Sequence, residues 1–272
     1  MAAASVNACR ELYTPARRHD ARGPANFAGG RFPVENDSVA DQHDEPGTPA
    51  GLAAVPPVEL PHPDPHRGTV LIVGVCAAVA FVVLRFVVAL GGHEPLAVDV
   101  WWQALMLEAM TDAGLVLAWI PAVVGGTVGM IVIGVLLVAV FLWRRRPWDA
   151  ATVALAIVTV VAIGAPMAAV IARVRPEDSL AESVPTSFPS GHTAVATTVA
   201  VTLGLLLRRW YVWVAGVCWI VYMMWSRTYL HAHWLSDVVA GMLEGVAVAC
   251  LVWCLLHALR IRRARSSAPR HA

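Results

Sequence analysis

The sequence predicts an all-α, polytopic membrane protein, a bundle of six transmembrane helices with an outer amphipathic helix, on three observations. Of its 272 residues 58% are hydrophobic and only 14% are charged, far from the make-up of a water-soluble domain. Six apolar runs approach the roughly 20 residues that a helix needs to cross about 30 Å of hydrocarbon. The arginines gather after every second run, as they do in cytoplasmic loops. The net charge is +1 and all 20 basic residues are arginine, so no nucleic-acid partner is expected. Of five cysteines, Cys76, Cys218, Cys250 and Cys254 lie in apolar runs and Cys9 in the amino-terminal segment, which fits neither a disulfide framework nor a zinc site.

Residues 1–67 are rich in Pro, Ala, Gly, Asp and His and lack any sustained hydrophobic period, so they read as a disordered cytoplasmic tail. They also lack the charged start, apolar core and small-residue cleavage site of a signal peptide. The membrane domain, 68–259, follows. Its apolar runs are 69–90, 122–143, 150–172, 191–207, 210–225 and 238–259. The fourth and fifth are short, and span only if Arg208 and Arg209 snorkel to the interface. Residues 260–272 form a basic cytoplasmic tail.

Arg144, Arg145 and Arg146 follow the second run, Arg208 and Arg209 the fourth, and Arg260, Arg262, Arg263 and Arg265 the sixth. These ends share a side in an alternating bundle, which makes it a multi-pass cell-membrane protein with both termini cytoplasmic. The outer loops, 91–121, 173–190 and 226–237, then hold only Arg173, Arg175 and Arg227. Glu108, Thr111 and Asp112 recur at helical spacing in the apolar stretch 104–120, the expected amphipathic helix. Trp101, Trp102, Trp119, Trp225 and Trp234 fall at the outer boundary, and Trp143, Trp148 and Trp210 at the inner one, as an aromatic belt requires.

The outer arginines share their loops with PSGH (Pro189 to His192) and with SRTYLHAHWLSD (Ser226 to Asp237). Ser190 stands where it can cap the fourth span, and the N–H groups of Gly191 and His192 would meet an anion at that helix's positive end. His233 and Asp237 are four apart, so a helix starting at or before His233 would let the carboxylate fix the imidazole tautomer. Such an imidazole is a nucleophile or base, His192 could protonate a leaving group, and Arg175 and Arg227 would neutralise a phosphoryl group.

Pro189-Ser190-Gly191-His192, the pattern Ser226-Arg227-x5-His233-x3-Asp237 and the pair Arg175-Pro176 together resemble the three-part signature of the type 2 phosphatidic acid phosphatases. That family shares its fold with vanadium haloperoxidases, and the resemblance covers roughly residues 68–259. It implies His233 as the nucleophile that forms a phosphohistidine, Asp237 as its orienting partner and His192 as the acid. It further implies phosphate binding by Arg175, Ser190, Gly191 and Arg227, with no metal or other cofactor. One position departs: the family's first motif begins with a lysine seven residues before the arginine, and here that residue is Ala168. Either Arg173 takes over some of the lost charge at the phosphate, or the affinity for substrate phosphate is lower.

The expected substrate is a lipid carrying phosphate or diphosphate, such as polyprenyl diphosphate or phosphatidic acid, entering from the bilayer to a site facing the periplasm or exterior. A lipid phosphotransferase and a non-hydrolysing lipid-phosphate binder or transporter are the alternatives. His231 reads as a solvated loop histidine, and Glu177, Asp178 and Glu182 as a solvated acidic loop. Arg85 and Glu244 lie at similar depth in the first and sixth spans and are expected to pair, since an intramembrane charge is costly.

Overall fold

The structure is a computed structural model describing residues 64–182 and 184–267. The expected disordered tail therefore lies almost wholly outside the described residues. Among the described residues eight helices follow one another: α1 (Arg67–Leu90), α2 (Ala97–Glu108), α3 (Asp112–Val124), α4 (Thr127–Trp143), α5 (Pro147–Ile171), α6 (Gly191–Leu207), α7 (Trp210–Tyr229) and α8 (Leu235–Ser266). Among the described residues the only extended pairing is one antiparallel bridge, Val174 to Thr186.

Helix ends sit where the chemistry of the chain puts them. Pro147 opens α5, where its missing N–H costs nothing. Helices α5 and α6 each stop at a left-handed residue, Ala172 at φ 48° and Arg208 at φ 53°. The expected amphipathic helix over 104–120 is instead broken at Ala109–Thr111, between α2 and α3. The reason is Tyr229, whose hydroxyl accepts from the Thr111 N–H at 2.8 Å and donates to the Ala109 carbonyl at 3.0 Å. It satisfies backbone groups that a continuous helix would have paired internally. The Thr111 hydroxyl then caps α3 by accepting from the Gly114 N–H at 3.0 Å.

The second apolar run is also divided. Residues 112–124 and 128–143 form a pair bent by 51° around Gly125 and Gly126. By length and composition α1, α5 and α8 can each cross a membrane, and the bent pair counted as one span makes four. Helix α6 is apolar but only 17 residues long.

Helix α8 is the spine of the bundle, packing along α1 and α6, while α6 also packs on α7 and α5. A core of Ala156, Val160, Ala194, Val248, Val252 and Leu256 joins α5, α6 and α8. Close approach of α6 and α8 depends on glycine. A Cβ on Gly241 would lie 2.5 Å from the Ser190 carbonyl oxygen, and one on Gly245 2.6 Å from the Ala194 carbonyl oxygen. The expected Arg85–Glu244 pair does not form. The Arg85 guanidinium lies over the Phe86 ring at 5.6 Å, and both Glu244 carboxylate oxygens are buried without a hydrogen-bond partner among the described residues.

Candidate active site

Four helix ends converge at one end of the bundle. After Ala172 turns the chain, the Val174–Thr186 bridge closes a loop over residues 175–185. Its base is fastened by Ser187 N–H to the Arg173 carbonyl at 2.9 Å and by Arg175 N–H to the Pro185 carbonyl at 3.1 Å. Arg227 lies in the last turn of α7, and its carbonyl accepts from the N–H groups of Ala232 and His233, at 3.0 and 3.2 Å. That turn, with His231 left-handed at φ 48°, swings His233 back over Arg227 before α8 starts.

His233 lies ahead of α8, so the helical spacing that would have paired it with Asp237 does not apply. Its Nδ1 is 2.7 Å from the Ser187 carbonyl oxygen and 3.8 Å from the nearest Asp237 oxygen. A carbonyl only accepts, so Nδ1 carries the hydrogen and Nε2 keeps its lone pair, which accepts from Arg175 Nη1 at 3.4 Å. His233 lines a cavity. Burial lowers the His233 pKa below its ordinary value, more than the Asp237 carboxylate raises it, and Arg175 and Arg227 push the same way as burial. The imidazole is thereby kept neutral. Asp237 itself turns one oxygen to Arg173, at 2.6 Å, and the other to the Trp234 N–H, at 3.0 Å, where it caps α8. Its link to His233 runs through charge at 3.8 Å, not through the expected hydrogen bond.

The two neighbouring arginines part company. Arg173 is fully buried, and its guanidinium bonds Asp99 at 2.7 Å, Asp237 at 2.6 Å and Ser236 at 2.7 Å, with the Glu94 carbonyl at 3.1 Å. It stands behind the site as the counter-charge of two buried carboxylates, and the expectation that it meets phosphate is corrected. Arg175 faces the cavity, clamped by the carbonyls of Val184, Thr186 and Ala232. Burial lowers its pKa, against the opposing charges of Glu182 and Asp237.

Ser190 sits at the N-cap of α6, but its side chain is buried and bonds the Thr193 hydroxyl at 3.1 Å; it caps no N–H and does not line the cavity. Gly191 and His192 do line it, and the first N–H groups of α6 have no partners within their own helix. No side chain crowds Gly191: a Cβ there would meet nothing within 4 Å.

Glu182 is not the solvated loop residue that the sequence suggests. Its carboxylate bonds Arg227, lies 3.4 Å from His192 Nδ1 and 3.6 Å from Arg175 Nη2, and is one-fifth exposed. Burial pushes its pKa up, but the positive charges around it, Arg227 foremost, hold it below the usual carboxylate range. His231 is likewise buried, not solvated, and is paired with Asp178. Asp99 is a third site-supporting residue that spacing does not reveal: it takes Arg173 and also accepts from the Ser236 N–H at 2.7 Å. A lone acid inside the apolar stretch AVDVWW was its only signal in the sequence.

The cavity, about 440 Å³ in all, continues below His233, Arg175 and His192 as an apolar space walled by Met130, Ile157, Val160 and Val161. Ala168, where the family lysine is missing, is part of the same wall. The described chain has the fold of a solved PAP2-type phosphatidylglycerolphosphate phosphatase from Bacillus subtilis. The TM-score is 0.58 at 20% sequence identity, over 73% of this chain and 98% of that one. An undecaprenyl-diphosphatase of Sulfolobus acidocaldarius is 33% identical over 117 residues, 40% of this chain and 56% of its own length. The chain thus spans little more than half the length of that curated relative. The family model described as the PAP2 superfamily matches residues 150–261. The matched segment carries Arg175, His192, Arg227, His233 and Asp237.

Proposed function

We propose that the chain is an integral membrane phosphatase that hydrolyses the phosphate or diphosphate of a lipid through a phosphohistidine on His233. The observation that carries this reading is His233, with its lone pair on Nε2, lining a cavity whose polar head also holds Arg175, His192 and Glu182, with Arg227 bonded to Glu182 and an apolar space beneath. In the first step the Nε2 lone pair attacks phosphorus, the bond from phosphorus to the leaving oxygen breaks, and His192 gives that oxygen its proton. In the second, water attacks the phosphohistidine, His192 takes the water's proton, and the P–N bond breaks to release phosphate. Arg175, Arg227 and the N–H groups of Gly191 and His192 carry the charge on the non-reacting oxygens.

The substrate's tail occupies the apolar space between α4, α5 and α6. In this reading six segments cross the bilayer: α1, the bent pair α3–α4, α5, α6, α7 and α8, with α2 at the outer surface. Two features support that sidedness. The helix ends that hold Arg175, His192, Arg227 and His233 are opposite the ends followed by Arg144–146, Arg208–209 and Arg260–265. Trp143 and Trp210, at the basic ends, are strongly exposed, as interfacial anchors are.

The test is release of inorganic phosphate by purified protein from a panel of polyprenyl diphosphate, phosphatidic acid and phosphatidylglycerol phosphate, wild type against His233→Ala. The expected result is release by wild type and none by the variant, with label from a phosphate-labelled substrate trapped on wild type in acid-labile form. Full activity in His233→Ala overturns the mechanism, and transfer of label to an added alcohol in place of water would make it a phosphotransferase.

A further inference from the structure

The polar head of the cavity already contains an anion, and it belongs to the chain. Glu182 Oε1 accepts from Arg227 and stands 3.4 Å from His192 Nδ1, while Oε2 is 3.6 Å from Arg175 Nη2. These are the side chains that the proposed reading assigns to the phosphoryl group. A phosphate and a carboxylate cannot both take them, because like charges a few ångströms apart repel strongly in a partly buried site.

The loop that carries Glu182 is anchored without it. Its base is closed by the Val174–Thr186 bridge, and its middle is tied to the turn before His233 by Leu180 N–H to the Leu230 carbonyl at 3.0 Å and by Asp178 to His231. Ala181 packs against the cluster of Tyr229 and Leu230. Glu182 can therefore swing its side chain out through its exposed edge while the loop stays in place.

We infer that Glu182 is an internal competitor for the phosphate subsite and sets what kind of phosphate the site accepts; this rests on reading the cavity as a phosphate site. An incoming group displaces the carboxylate only by offering the arginines more charge than it does. A terminal phosphate or diphosphate, with two or more charges and three free oxygens, meets that condition. A phosphodiester, with one charge and two free oxygens, does not. A site open to the bilayer is surrounded by phosphodiester head groups, and Glu182 keeps them out of the arginines.

The experiment uses the full-length protein in detergent, with calorimetric titration of inorganic phosphate and inhibition of turnover by phosphatidylglycerol, a phosphodiester. Wild type, Glu182→Gln, Glu182→Ala and Arg227→Ala are compared. Both Glu182 variants are expected to bind phosphate about tenfold or more tightly than wild type, and to become inhibited by phosphatidylglycerol where wild type is not. Arg227→Ala is expected to lose phosphate binding. If wild type binds phosphate through Arg227 but neither Glu182 variant binds it more tightly, the inference about Glu182 fails and the phosphate site stands. If wild type and the Glu182 variants bind no phosphate while remaining folded by thermal unfolding, the phosphate-site reading fails with it.

Discussion

Residue by residue, the site is a set of charges each with a single duty. In the proposed mechanism His233 must be neutral to attack, and burial lowers its pKa from the ordinary histidine value near 6.5. With the folded value depressed, the neutral form persists to lower pH. The acid limb of kcat/KM should therefore lie below about 6.5, and a limb at or above that value would show His233 in a wetter setting than the one described. Arg173 is predicted to matter for folding. Arg173→Met leaves Asp99 and Asp237 buried with no guanidinium, at a cost of about 3–5 kcal/mol, seen as a large drop in thermal stability in detergent. A variant that folded like wild type and only raised KM would return Arg173 to the phosphate, where its sequence neighbourhood first put it. Ala168 lines the cavity, so Ala168→Lys should add one charged contact, worth about 1.5–3 kcal/mol, and lower KM roughly tenfold. Spacing could name Arg173 and Arg175 as candidates. It could not tell which faces the cavity: residues two apart in an extended segment would share a face, and what separates them is long-range, Arg173 held by Asp99 and Asp237 and Arg175 by the Val184 and Thr186 carbonyls.

At the scale of elements, the site depends on how closely α6 approaches α8. Gly241 and Gly245 form a G-x-x-x-G pair on α8, a pattern present in the sequence itself. Gly241→Leu would force a side chain into the Ser190 carbonyl and shift the start of α6, and with it His192, away from His233. A misplacement of about 1 Å is expected to cost on the order of 10²-fold in kcat/KM, while far-UV circular dichroism stays helical. The break between α2 and α3 has a single author, the Tyr229 hydroxyl. Tyr229→Phe should lower stability by about 1–3 kcal/mol, since it leaves the Thr111 N–H and the Ala109 carbonyl without that partner. Periodicity read 104–120 as one helix because the apolar pattern does continue across Ala109–Thr111; the hydroxyl that interrupts it comes from 118 residues away.

For the whole molecule, sidedness is the property that hydropathy and arginine counting address. With native cysteines replaced, a membrane-impermeant thiol reagent on intact cells should label Val184→Cys, beside the site, and leave Arg145→Cys, in a basic turn, unlabelled; the reverse would invert the bundle. The chain's helical character was legible from composition and run length, and α6 begins and ends where its apolar run does, at Gly191 and Leu207. These are local properties, fixed by the residues of the segment itself and the solvent they face. The bend at Gly125, the Glu244 carboxylate without a partner among the described residues and the absence of an Arg85–Glu244 pair were not legible, since depth along a helix says nothing about which face a side chain occupies. The sequence by itself determined the reactive residue types and their order along the chain. Only the tertiary structure decided the hydrogen on His233 Nδ1, the withdrawal of Arg173 behind the site and the entry of Glu182 into it. Each of those rests on a contact between residues tens of positions apart, Ser187 with His233, Arg173 with Asp99 and Glu182 with Arg227, and no spacing rule reaches that far.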